Sequence, residues 1–170
     1  MVTIGIVCLL ASTTFCGFYM AHLFEKRYAE LRAFQHGLKL FETELTYGHT
    51  PLYEAFQIIS KQVEAPIGKV FYAFSQKLQE KDVQVEKAWK EVLREKSDHL
   101  ALSKKDYTLL SRFAEGLGKH DLYTEQKHLE NFSIHLQMQC DMAKEKIENE
   151  SKMVRSLGVL IGLLLVIIFV

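Results

Sequence analysis

From Glu25 to Tyr47 the apolar positions Tyr28, Leu31, Phe34, Leu38, Phe41 and Leu45 recur every three or four residues. That spacing places them on one stripe of a helix. Gly48 is placed to end it, Thr50 to cap a second helix, and Pro51 to sit in that helix's first turn. The second helix carries Leu52, Ala55, Phe56, Ile59 and Val63 on its inward side. After a break at Ala65–Pro66, a third repeats the spacing with Ile67, Val70, Phe71, Phe74 and Leu78. A fourth, over 84–96, turns Val85, Ala88, Trp89, Val92 and Leu93 inward. Ser103 and Asp106 have the spacing of a capping box, which opens a fifth helix with Leu109, Leu110, Phe113 and Leu117 inward and Gly118 at its end. Asp121 is placed to cap a sixth, whose stripe of Leu122, Leu129, Phe132, Leu136, Cys140, Ala143 and Ile147 is predicted to run on to Arg155. No run shows sustained alternation with a period of two, and the chain has only two prolines. The expectation is an all-α fold, a six-helix bundle over 25–155 in one domain.

The flanks differ from this amphipathic middle. All 21 Lys+Arg and all 21 Asp+Glu residues lie between Glu25 and Arg155, and the two ends carry none. A helical span needs about 20 apolar residues to cross roughly 30 Å of hydrocarbon, so 1–24 is long enough. A cleavable signal peptide would need a basic start, and no Lys or Arg precedes Glu25. The stretch 156–170 is shorter, about 22 Å as a helix, but Lys152 and Arg155 can snorkel to the headgroups. Both ends are therefore expected to be transmembrane helices. Lys26, Arg27, Arg32, Lys39, Lys144, Lys146, Lys152 and Arg155 flank them on the inner side and none does so on the outer side, which places the middle in the cytoplasm. Gly158 and Gly162 form a GxxxG, and Thr13, Gly17 and Ala21 recur every four residues. This spacing suits close helix packing in lipid.

Zero net charge, with Lys and Glu interleaved, argues against nucleic-acid binding. Three cysteines, two of them in the apolar N-terminal stretch, do not make a disulfide framework. Seven histidines invite a metal, but His128 and His135 lie two helical turns apart, about 10.5 Å, too far to share one ion. Glu125 and His128 supply the Glu-x-x-His of a di-iron bundle only once, and read as a surface pair. Cys140 sits mid-helix on an apolar stripe, where nothing lowers its pKa. The GLG at 116–118 lacks the lysine or third glycine of a phosphate loop. The reading is a non-enzymatic protein without a cofactor or metal.

What remains is the pair of glycine turns, ETELTYGHTPL over 42–52 and RFAEGLGKHD over 112–121. A helix of about 23 residues reaches roughly 34 Å from the first span, and one of about 35 residues reaches roughly 52 Å from the second. Both turns are thus expected at the far tip of a stalk, where loops make partner contacts. The candidate partner-binding residues are Tyr47, His49, Thr50, Glu115, Lys119, His120 and Asp121. Among them, His49, Lys119 and His120 are required by no capping rule. The corresponding membrane-packing candidates are Gly17, Gly158 and Gly162.

At these turns the chain resembles the stage III sporulation protein AB family of endospore-forming bacteria. The resemblance rests on E-L-x-YGHTPL from Glu44 to Leu52, F-A-E-x-LG-x-HD from Phe113 to Asp121, and RSLGVLIGLLLVIIF from Arg155, with GF at Gly17 and Phe18 in the N-terminal span. That family is in turn similar to the cytoplasmic domain of the platform protein of type II secretion and type IV pilus systems, whose L-x7-G-x2-P-L-x2-A-L pattern reads here as Leu40, Gly48, Pro51, Leu52 and Ala55, with Phe56 in last place. The later turn has Glu115, Gly116 and Gly118, with Glu and Gly in altered order. Platform proteins usually carry two such domains and three spans, whereas this chain has room for one domain and two spans. The resemblance implies a component of the mother cell–forespore channel, located in the mother-cell membrane around the forespore. It implies as partners a secretion-type ATPase, stage III sporulation protein AA, other channel components and the membrane, and it leaves a homo-oligomer open. The reading from another class is a generic two-span helical scaffold or sensor.

Overall fold

The computed structural model describes residues 2–47, 50–118, 122–151, 156 and 160. Among the described residues there is no strand, and six α-helices follow one another: α1 Val2–Tyr47, α2 Leu52–Gln62, α3 Ile67–Lys77, α4 Val85–Lys96, α5 Lys104–Ser111 and α6 Leu122–Lys146. A short 3-10 turn, Ser97–His99, follows α4, and α6 passes into a π-helical turn, Ile147–Ser151. The chain divides into two compact units, one of Met1–Tyr28 with Asp141–Val170 and one of Ala29–Cys140.

The second unit is built on aromatic residues contributed by nearly every element. Phe34 and Phe41 come from α1, Phe56 from α2, Phe71 and Phe74 from α3, Trp89 from α4, Phe113 from the turn after α5 and Phe132 from α6, and all are buried. Phe34 lies 5.4 Å from Phe113 at 88° and 5.8 Å from Trp89 at 61°, the edge-to-face geometry favoured by ring quadrupoles. Phe56 meets Phe74 at 4.9 Å in the same way. Fully burying one such side chain stabilises by about 1.5–3 kcal/mol, so these rings dominate the cohesion of the bundle. The Trp89 indole Nε1–H donates to the Leu110 carbonyl at 2.6 Å, a second bond to an oxygen near the end of α5 that also accepts the Phe113 N–H at 3.1 Å.

Two glycines allow this packing. A Cβ on Gly37 would lie 2.3 Å from a ring carbon of Phe71, and one on Gly68 would lie 2.3 Å from the Val63 carbonyl oxygen. Gly37 therefore lets α1 approach α3, and Gly68 lets α3 begin tightly against the end of α2. The Ala65–Pro66 peptide between α2 and α3 is cis.

The predicted helices are present, with local corrections. α2 begins at Leu52 with Pro51 as its N-cap residue, and no side chain caps it. Thr50 instead donates its hydroxyl to Glu44 Oε2 at 3.3 Å, because it stands one residue too early to reach the orphan N–H groups. The Ser103–Asp106 capping box forms with both arms. Beyond it, α5 ends at Ser111, and Phe113, Ala114 and Leu117 are buried in a turn rather than a helix. Leu109 is only half-buried, and Cys140 is core at 2 % exposure. Among the described residues no helix is long and apolar enough to cross a membrane. Of the expected span 156–170, all but Ser156 and Leu160 lies outside the described residues.

Candidate functional site

The end of α1 and the start of α6 are joined by side chains. Thr46 donates its hydroxyl to the Glu42 carbonyl at 2.8 Å, a common way for a helical Thr to satisfy itself. The same oxygen accepts from Gln126 Nε2 at 3.2 Å. One residue before Gln126, the buried Glu125 carboxylate accepts the backbone N–H of Gly118. The end of α1 and the Gly116–Gly118 turn therefore share one end of the Ala29–Cys140 unit.

The second turn has a defined shape. Gly116 and Gly118 have φ of 89° and 74°, values that only glycine adopts without strain. Leu117 between them is 2 % exposed and anchors the turn in the core. Glu115 lies 3.7 Å from the Lys90 ammonium, which is also bonded to Glu86 at 2.8 Å. These carboxylates, Glu86 first, hold the Lys90 pKa above its usual range. The turn is thus fastened to the core, to α4 and to α6.

Beside it, Glu42, Thr46, Gln126, Glu130, Ser133 and Ile134 line an open groove of about 360 Å³ between α1 and α6. Burial raises the Glu42 pKa above the ordinary carboxyl value. Lys39 partly offsets this and the like charge of Glu130 adds to it.

Of the predicted partner-binding residues, Thr50 is half-buried on Glu44 and Glu115 is half-buried on Lys90. Tyr47 is the last residue of α1. His49, Lys119, His120 and Asp121 lie outside the described residues, as do Gly158 and Gly162. Gly17 falls within α1.

Two buried carboxylates have roles that differ from what their sequence spacing predicts. Glu125 is not half of a surface pair with His128: it is 8 % exposed and holds the Gly118 turn. Glu30, 2 % exposed, accepts the Ala101 N–H at 2.7 Å and ties the segment before α5 to α1. Both sit four residues before a core apolar residue of their own helix, Leu129 and Phe34. That places a charge on the apolar stripe, the one available signal. Among the described residues no group of three or more His, Cys, Asp or Glu side chains is placed to hold a metal ion.

These features define, among the described residues, a small all-helical bundle whose Gly116–Gly118 turn is fastened at one end of its core unit. The family model for stage III sporulation protein AB matches residues 2–170, and the chain belongs to that family. It is 38% identical over 166 residues to stage III sporulation protein AB of Bacillus subtilis (strain 168), covering 97% of this chain and 96% of that protein. A solved structure of stage III sporulation protein AB superposes with a TM-score of 0.68 at 35% identity, covering 72% of this chain and 96% of that one.

Proposed function

We propose that the chain is a non-enzymatic membrane component of a secretion-like channel between mother cell and forespore, whose bundle couples a cytoplasmic ATPase to the membrane complex. Family membership supports a role in sporulation. The observation that carries the docking role is the meeting of the end of α1 with the Gly116–Gly118 turn at one bundle end through Thr46–Gln126 and Glu125–Gly118. A partner meeting a pre-shaped surface pays little ordering cost on binding. Anchoring by 1–24 and 156–170 in the mother-cell membrane is supported by the uncharged ends and by Phe15, Phe18 and Tyr19, more than half exposed on α1. Lipid would cover such side chains. The ATPase expected on the cytoplasmic side is stage III sporulation protein AA.

The test uses the full chain in detergent against that ATPase, with and without nucleotide. Binding should weaken in the double variant His49→Ala, Lys119→Ala while the melting curve stays unchanged. Unaltered binding by this variant would remove the turns as the docking surface. A reporter fused after Val170 should be active only outside the cytoplasm, and the opposite result would overturn the orientation.

A further inference from the structure

The outward surfaces of α1 and α6 differ in character and lie side by side. On α6, Ile134 and Met138 are each 56% exposed, one turn apart, with the exposed Glu130 a turn before Ile134. Together they form a small apolar patch on an otherwise polar helix face. On α1 the exposed positions include Arg32 and Lys39, whose long stems can lie over apolar groups while their charges reach outward, and His36, whose ring has an apolar face.

The register between the two helices is set by two bonds, Gln35 with Gln137 and Thr46 with Gln126. Each step along α1 therefore matches one step back along α6, and Glu130 stands level with Glu42. Lys39 is three residues from that level, about 4.5 Å along the axis, within the reach of a lysine side chain. A two-fold axis parallel to the helices preserves every level and sets α1 of one copy against α6 of the other. It brings Lys39 of each copy to Glu130 of the other, and the His36 ring and the Lys39 stem over Ile134. The surface is self-complementary, which is what an isologous pair requires. A cation from the other copy would also face the Glu42–Glu130 groove, where the like charge of Glu130 acts on Glu42.

We infer that the α1/α6 face is a docking surface for a second copy of this chain, forming a two-fold pair held by reciprocal Lys39–Glu130 contacts around Ile134 and Met138. The apolar part is small, so the pair is a weak one at the low end of specific interfaces.

The experiment mixes donor- and acceptor-labelled full-length chain in detergent micelles and follows energy transfer with concentration. Wild type should associate. Lys39→Glu alone and Glu130→Lys alone should each weaken association at least about tenfold, since each places like charges opposite one another twice. An equal mixture of the two variants should recover it, because both contacts then join opposite charges across copies. Ile134→Asp should weaken association without lowering the melting temperature, because the side chain is already exposed. The inference is overturned if wild type shows no transfer beyond that of unassociated micelles. It is equally overturned if the single variants associate normally, or if the mixture is no better than either variant alone. Recovery in the mixture cannot arise from repairing a contact within one chain, so it separates a second copy from a different protein as the occupant.

Discussion

Glu125 accepts the backbone N–H of Gly118, seven residues earlier, from a position 8 % exposed at the start of α6. A single carboxylate thus links the closing turn of α5 to the helix that follows. Removing it by Glu125→Ala leaves the Gly118 N–H without its acceptor. The expected loss is about 1–3 kcal/mol, read by urea unfolding. Glu125→Gln keeps an acceptor oxygen and should lose less. If both variants unfold like wild type, water serves that N–H as well as the carboxylate does.

Gly118 and Gly37 should respond to substitution for different reasons. A Cβ at Gly118 meets nothing within 4 Å, so Gly118→Ala costs only the positive φ, about 1–2 kcal/mol. Gly118→Asn should recover part of that, because Asn tolerates this conformation. Gly37→Ala drives a methyl into the Phe71 ring and is expected to cost about 1–3 kcal/mol by overpacking. Phe71→Leu should relieve Gly37→Ala in a double-mutant cycle and leave Gly118→Ala untouched.

Trp89 combines ring packing with a hydrogen bond. Trp89→Phe keeps much of the aromatic volume but removes the donor to the buried Leu110 carbonyl. Because that carbonyl keeps the Phe113 N–H at 3.1 Å, the cost should be that of one ordinary hydrogen bond, about 0.5–1.5 kcal/mol, against about 3–5 kcal/mol for Trp89→Ala, which opens a cavity among Phe34, Phe74 and Phe113. Equal losses in the two variants would mean that the hydrogen bond contributes nothing separate from the packing.

Glu42 supplies a pH test. Its folded pKa lies above the unfolded value, chiefly through burial and then through Glu130 after Lys39's partial relief. The folded state therefore holds this proton more tightly. Its ionisation penalty is absent below the unfolded pKa, grows as pH rises through the folded pKa, and is fully present above it. Glu42→Gln removes that penalty, so the variant's stability relative to wild type should be higher at pH 7 than at pH 4. The comparison needs melting curves of both proteins at both pH values, and a difference independent of pH would remove the assigned shift.

The helix stripes were legible because burial on one side of a helix imposes a three-to-four-residue period on the sequence itself. Phe34, Phe56, Phe71, Trp89 and Phe132 announce their burial in this way. The Ser103–Asp106 cap was equally legible, since its two partners are only three residues apart and its geometry is local. The break at Gly118 was legible as a break, but α5 ends at Ser111, seven residues before it, because the buried turn of Phe113, Ala114 and Leu117 carries the apolar spacing on past the helix. Thr50, by contrast, was assigned to the wrong neighbour because a one-residue shift in where α2 begins decides which N–H groups are within reach.

The all-helical fold, the identity of most core residues and the contrast between charged middle and uncharged ends follow from the sequence alone, because each depends on residues near one another in the chain. Only the tertiary structure decided what Glu30, Gly37 and Glu125 do. Glu30 answers an N–H on the segment before α5, Gly37 makes room for a ring on α3, and Glu125 reaches back to a turn. Glu30 and Gly37 meet partners far along the chain, while Glu125's partner is near but its role depends on burial. No local pattern records which distant backbone group a buried carboxylate will meet, or which ring a missing Cβ will admit. Those relationships exist only once the helices have packed.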